Sequence, residues 1–186
     1  MNNSNISMDL IFKSISFYSN CGYSMIDAPM CVPEYIMKHN TEKFKDNQEL
    51  EYMNNQKYVA SAEQSFLYLK ELDKLPIGKY MALTPCYRDN KADLTHFKIF
   101  MKLELIIVGQ HNFETIIADA AKFFIEIGLN DIKIEESEDV GVWDINCKNI
   151  ELGSYGNRKF IDGSRYSFGT GLAEPRTSYV KSLQKG

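Results

Sequence analysis

Cysteine is scarce in this 186-residue chain and follows no pattern. Cys21, Cys31, Cys86 and Cys147 are scattered, no two form a CxxC pair, and the three histidines add no metal-ligand spacing. Both a zinc finger and a disulfide framework are argued against, and reduced thiols fit a soluble cytoplasmic protein. Long apolar runs are missing as well. None approaches the ~18 residues that a membrane span needs, and Met1 to Ser7 is polar without a cationic flank. Nor is positive charge in excess: 21 Lys and Arg face 25 Asp and Glu, a formal charge of −4. Bulk electrostatics therefore gives no support for nucleic-acid binding, and any polyanion must be met locally. There is no GxxxxGK[ST] loop, and the pair Gly169-Thr-Gly171 lacks the third glycine and the βαβ setting of a dinucleotide fingerprint.

What is present suffices for one core. Hydrophobic residues make up 44% and aromatics 12%, so a single domain over residues 1–186 is expected. Leu10, Ile11, Ile15, Phe17 and Tyr18 recur at helical spacing from about Met8 to Asn20, where Cys21-Gly22 reads as a cap. Tyr23 to Pro29 reads as a strand closed by proline. The polar stretch from His39 to Lys57 reads as a loop with one weak helical turn. Glu63 to Leu72 reads as a helix, and two alternating segments follow, Lys79 to Arg88 and Ile99 to Val108, joined by the turn-rich Asp89 to Asp93. Met81, Leu83, Met101, Leu103, Leu105 and Ile107 give these strands a greasy face, which an amphipathic helix from Phe113 to Ile127 is placed to cover. Short strands at Lys133–Glu136, Val140–Ile145 and Asn149–Leu152 lead to a turn at Gly153-Ser-Tyr-Gly156. Tyr166-Ser-Phe168 leads through a glycine turn to Pro175, which opens a last helix. The order is α+β with a mainly antiparallel sheet flanked by helices.

Three clusters carry chemistry. Arg88 ends one strand while His96, Phe100 and Glu104 enter the next, which makes a cationic rim beside an aromatic platform. A guanidinium grips phosphate, a phenyl ring stacks on a heterocycle, and a carboxylate accepts from an amine. Ordinary sheet packing of Phe100 beside exposed polar groups fits the same residues. Arg176 in the first turn of the last helix, after Gly169 and Gly171, offers donors to a phosphate. Glu151 and Ser154 supply oxygen ligands of the kind magnesium takes.

In order, these pieces resemble the catalytic domain of class II aminoacyl-tRNA synthetases. Gly22 to Pro29 is similar to the family's first motif. Ser61-Ala-Glu63 is similar to the Thr-x-Glu of seryl-type members. Cys86-Tyr-Arg88 with His96 to Glu104 resembles the second motif, Glu151-Leu-Gly153-Ser154 a seryl-type metal stretch, and Gly169 to Thr177 the third motif. The resemblance implies an ATP-dependent ligase that forms an aminoacyl adenylate and passes it to tRNA, a carrier protein or an amine. It assigns Arg88, His96 and Arg176 to catalysis and, with Phe100, Gly169 and Gly171, to ATP, with adenine between Phe100 and Arg176. It assigns Ser61, Glu63, Glu104 and Gly153 to the amino acid, Glu151 and Ser154 to magnesium, and residues 8–29 to a homodimer contact. Departures are Asn90 where an acidic residue is usual, Pro175 before the last arginine, no zinc-ligand cysteines, and no anticodon-binding domain expected. A non-catalytic paralogue that regulates a partner is the alternative. An asparagine synthetase-like ligase is a minor one, since the third motif and Glu151 to Gly156 resemble that family too.

Overall fold

The computed structural model describes residues 6–39, 55–88, 95 and 97–184. Helix α1 (Met8–Asn20) begins where Ser7 accepts from the Leu10 amide and ends at Cys21, and Gly22 then takes φ +88°, a conformation that suits glycine. Strand β1 (Ser24–Met25) follows, shorter than the Tyr23–Pro29 strand expected. It lies parallel to its neighbour over two register positions, and one further bond, from the Ile26 amide to the Met81 carbonyl, closes it before Pro29. Next come β2 (Cys31–Pro33), α2 (Glu34–Met37) and β3 (Gln56–Tyr58), where β2 and β3 form a separate antiparallel pair. Most of the expected 39–57 loop, and the Asp89–Asp93 turn with Asn90, lie outside the described residues.

Helix α3 (Ala62–Glu71) opens with a capping box: Ser61 accepts from the Glu63 amide at 3.3 Å, and Gln64 accepts from the Ser61 amide at 2.8 Å. Strands β4 (Gly78–Tyr87) and β5 (Ile99–Val108) pair antiparallel, with Cys86 opposite Phe100 and Ala82 opposite Glu104. Helix α4 (Phe113–Glu126) precedes β6 (Ile132–Glu136), β7 (Val142–Cys147), β8 (Ile150–Lys159), β9 (Arg165–Glu174) and α5 (Arg176–Ser182). The sheet order is β1-β4-β5-β9-β8-β7-β6, antiparallel except at β1.

Each face of this sheet buries its own apolar cluster. On one, Met81, Leu103, Leu105, Tyr155 and Leu172 pack with Leu10 and Ile11 of α1 and Ile116, Phe123 and Phe124 of α4, as the periodicity of 113–127 predicts. On the other, Ala82, Ile106, Tyr166 and Phe168 pack with Phe66 and Leu67 of α3 and with Val32 and Ile36.

Three expectations are corrected. Gly153 to Gly156 is no turn but the interior of β8, and Gly169 and Gly171 lie inside β9 rather than in a turn before a helix. These glycines admit close neighbours: a Cβ on Gly169 would stand 2.4 Å from the Tyr155 ring, and one on Gly171 2.9 Å from the Tyr18 ring, both on the face that α1 and α4 cover. Finally, Pro175 caps α5 from outside, leaving Arg176 as its first residue.

Candidate active site

A cavity of about 280 Å³ opens on the α3 side of the sheet, where polar residues interrupt the second apolar cluster. Ser61 and Glu63 come from the start of α3, Arg88 from the end of β4, and Phe100, Lys102 and Glu104 from alternate positions of β5. Asp144 comes from β7, Glu151, Ser154 and Arg158 from β8, Thr170 from β9 and Arg176 from α5. The period-two alternation of strands puts Phe100, Lys102 and Glu104 on one face in a row.

One end is cationic. The Arg88 guanidinium lies 5.0 Å from the centre of the Phe100 ring, and its Nε donates to the Ala60 carbonyl at 3.4 Å. Burial lowers the Arg88 pKa, an effect opposed by Cys86 and reinforced by the nearby charge of Arg176. Arg176 donates through Nε to the Thr95 carbonyl at 3.0 Å and through a terminal nitrogen to the Glu151 carboxylate at 3.2 Å. Two guanidiniums sharing one partly dry cavity repel each other, and a bound polyanion relieves that repulsion.

The other end is acidic and internally bonded. Glu104, 1% exposed, accepts from Ser61 Oγ at 2.5 Å and pairs with Lys102 Nζ at 2.7 Å, both through Oε2. Burial raises its pKa, opposed by Lys102 and Ser61, while the charge of Glu63 adds to the rise. Glu63 has both oxygens engaged, Oε2 by Arg158 at 2.6 Å and Oε1 by the Tyr166 hydroxyl at 2.7 Å. Arg158 also lies 4.1 Å over the centre of the Phe168 ring, so a bonded group closes this end.

Of the residues singled out in the sequence, Ser61, Glu63, Arg88, Phe100, Glu104, Glu151, Ser154 and Arg176 line this one cavity. His96 lies outside the described residues. The cation over Phe100 is Arg88, where the resemblance sets Arg176 across from it. Gly153 sits against Thr170, where an added Cβ would come within 2.4 Å. Gly169 and Gly171 face the helices and not the cavity, so neither builds the phosphate cradle that a glycine turn would offer; Thr170 between them lines the cavity instead. Sequence reasoning misses Asp144, Arg158, Phe168 and Thr170; the strand alternation of 142–147, of 150–159 once extended past Gly156, and of 165–174 once carried through Gly169 and Gly171 is the signal that finds them.

Glu151, Ser154 and Asp144 line the cavity and carry oxygen donors of the kind magnesium takes, with Asp144 opposite Ser154 in register. Among the described residues no three His, Cys, Asp or Glu side chains are grouped to hold a metal ion unaided. The set therefore fits a cation that keeps waters and shares phosphate oxygens.

The family model described as tRNA synthetases class II core domain (F) matches residues 13–139, which include Arg88, Phe100 and Glu104. Two solved structures of pyrrolysyl-tRNA synthetase from Desulfitobacterium hafniense superpose with a TM-score of 0.76 at 15% identity, covering 95% and 96% of this chain and 69% of theirs. A seryl-tRNA synthetase from Pyrococcus horikoshii, solved with ATP, gives a TM-score of 0.72 at 16% identity over 92% of this chain and 49% of its own. No curated protein matches. With the family model matching more than half of the sequence, the chain belongs to the class II tRNA synthetase core domain family.

Proposed function

We propose that this chain activates an amino acid with ATP, joining its carboxylate to the α-phosphorus and releasing pyrophosphate. The observation that carries the reading is the polarity of the cavity: two arginines and a phenyl ring at one end, a buried carboxylate at the other. Arg88 would neutralise the α-phosphate during attack, and Arg176, with His96 in the role that the resemblance implies, would hold the leaving pyrophosphate. Phe100 offers a face to adenine, and Glu104, supported by Ser61, accepts the substrate ammonium. Glu151, Ser154 and Asp144 would hold magnesium, whose chemistry here is to offset phosphate charge. No covalent enzyme intermediate is required, so catalysis rests on positioning and charge stabilisation.

The acceptor of the aminoacyl group is tRNA, a carrier protein or an amine. Exposed Met8, Phe12 and Met25 lie within residues 8–29, which supports a homodimer contact there. No helix among the described residues is long and apolar enough to cross a membrane. Amino-acid-dependent exchange of labelled pyrophosphate into ATP, measured with each standard amino acid, tests the activation reading. Exchange with one or a few of them supports it, and silence with all leaves the regulatory paralogue.

A further inference from the structure

We propose that Lys102 is a positioning residue for the amino-acid end of the cavity: its ammonium keeps the Glu104 carboxylate charged and turned so that Oε1 is left for the substrate ammonium. The proposal rests on the activation reading for the identity of that ligand. The geometry is specific. Lys102 and Ser61 both reach Oε2, at 2.7 and 2.5 Å, and among the described residues no hydrogen bond goes to Oε1. Lys102 stands on β5 between Phe100 and Glu104, opposite Thr84 on β4 and Ala173 on β9. Its side chain is 14% exposed. Thr170, opposite Glu104, lines the same end.

The charges around Glu104 show why a lysine is needed. Glu63 of α3 pushes toward the neutral acid, and its own counter-charge, Arg158 of β8, is committed to it. Cys86 of β4, Arg88 just after that strand and Tyr155 of β8 also lie within electrostatic reach. Lys102 alone among the described residues is at ion-pair distance. Without it, a carboxylate this dry takes a proton, and a neutral acid no longer attracts an ammonium. A buried ion pair is poor support for stability, since apolar side chains of similar volume often serve the fold as well. A site that binds an ammonium gives this pair a use.

The test follows the carboxyl carbon of Glu104 by NMR in the full chain labelled at glutamate, with its signal assigned by loss in Glu104→Gln. In Lys102→Met its titration midpoint should rise by about one pH unit or more, while Lys102→Arg stays near wild type. With the activating amino acid, Lys102→Met should raise KM at pH 7 by about tenfold or more, with kcat within about threefold, and the defect should shrink toward pH 8.5. An unmoved midpoint, an unchanged KM, or an arginine variant as impaired as the methionine one overturns the proposal. Melting curves confirm that both variants fold. If wild type activates no amino acid, the activation reading falls, yet the midpoint still decides whether Lys102 holds the charge. In that case, failure of every amino acid to perturb the Glu104 signal overturns its role toward an ammonium.

Discussion

At the scale of single residues, charge does two separate jobs in the cavity. Arg88 is desolvated and carries its charge beside Arg176, and on the proposed reading that charge serves to meet a phosphate. Arg88→Ala should lower amino-acid-dependent pyrophosphate exchange by about 10²-fold or more, the loss expected for one preorganised charge contact. Wild-type exchange in that variant would remove Arg88 from the chemistry. Arg158 is different because its guanidinium is committed to Glu63 and stacked on Phe168. Arg158→Ala leaves a mostly buried carboxylate with only the Tyr166 hydroxyl. It should destabilise the fold by about 2 kcal/mol in urea unfolding, with Glu63→Gln in the same background recovering part of the loss. No recovery would show that the stacking on Phe168, and not the ion pair, is what Arg158 contributes.

At the scale of elements, the paired strands β8 and β9 hold the site together through residues too small to be noticed. Gly169 lets Tyr155 and Ile116 close over β9, with the Tyr155 hydroxyl donating to the Thr170 carbonyl at 2.7 Å. Gly169→Ala puts a methyl group 2.4 Å from the Tyr155 ring and should cost about 1–3 kcal/mol, a drop in Tm on the order of 5 °C. An unchanged Tm would mean that the sheet and α4 separate freely there. The same glycines explain what the sequence conceals. Glycine is permissive, so Gly153-Ser-Tyr-Gly156 and Gly169-Thr-Gly171 read locally as turns, whereas cross-strand close approach makes them strand interiors. A strand expected to end at Leu152 leaves Arg158 outside every predicted element, so the closed end of the cavity is not legible in the sequence. The long segments α1, α3, α4, β4 and β5 are legible because each carries a regularly spaced apolar set that packs into a cluster, with β4 and β5 contributing to the clusters on both faces of the sheet. Short β2, α2 and β3 carry too few residues to show a period: β2 and α2 are held by tertiary contacts with α3, and β3 by its pairing with β2. Arg88, Phe100 and Glu104 were legible as a set because β4 and β5 alternate regularly and pair without a break between Gly78 and Tyr87.

At the scale of the whole molecule, Glu174 ties the two ends of the described chain together. It accepts from the Ser7 amide at 2.9 Å, before α1, and from the Ser178 amide and hydroxyl at 3.0 and 2.6 Å, in α5. Burial nevertheless raises its pKa above the ordinary 4.5, and burial raises that of Glu104 as well. Between 4.5 and its raised folded value, each group holds in the folded state a proton that the unfolded chain has already released. The slope of unfolding free energy with pH follows protons bound in the unfolded state minus those in the folded state, so each group makes stability fall as pH climbs from 4.5 through its folded value. Glu34 and Asp162 are shifted the other way, by Lys38 and by Ser164, and act with opposite sign below the ordinary carboxylate range. The comparison that isolates Glu174 is therefore wild type against Glu174→Gln, with urea unfolding measured from pH 4.5 to 7.5. The variant, having no proton to lose, should show the shallower decline, by as much as about 1.4 kcal/mol per pH unit where Glu174 titrates fully. Equal slopes would mean that its three hydrogen bonds offset its burial, so that Glu174 binds the same number of protons folded and unfolded.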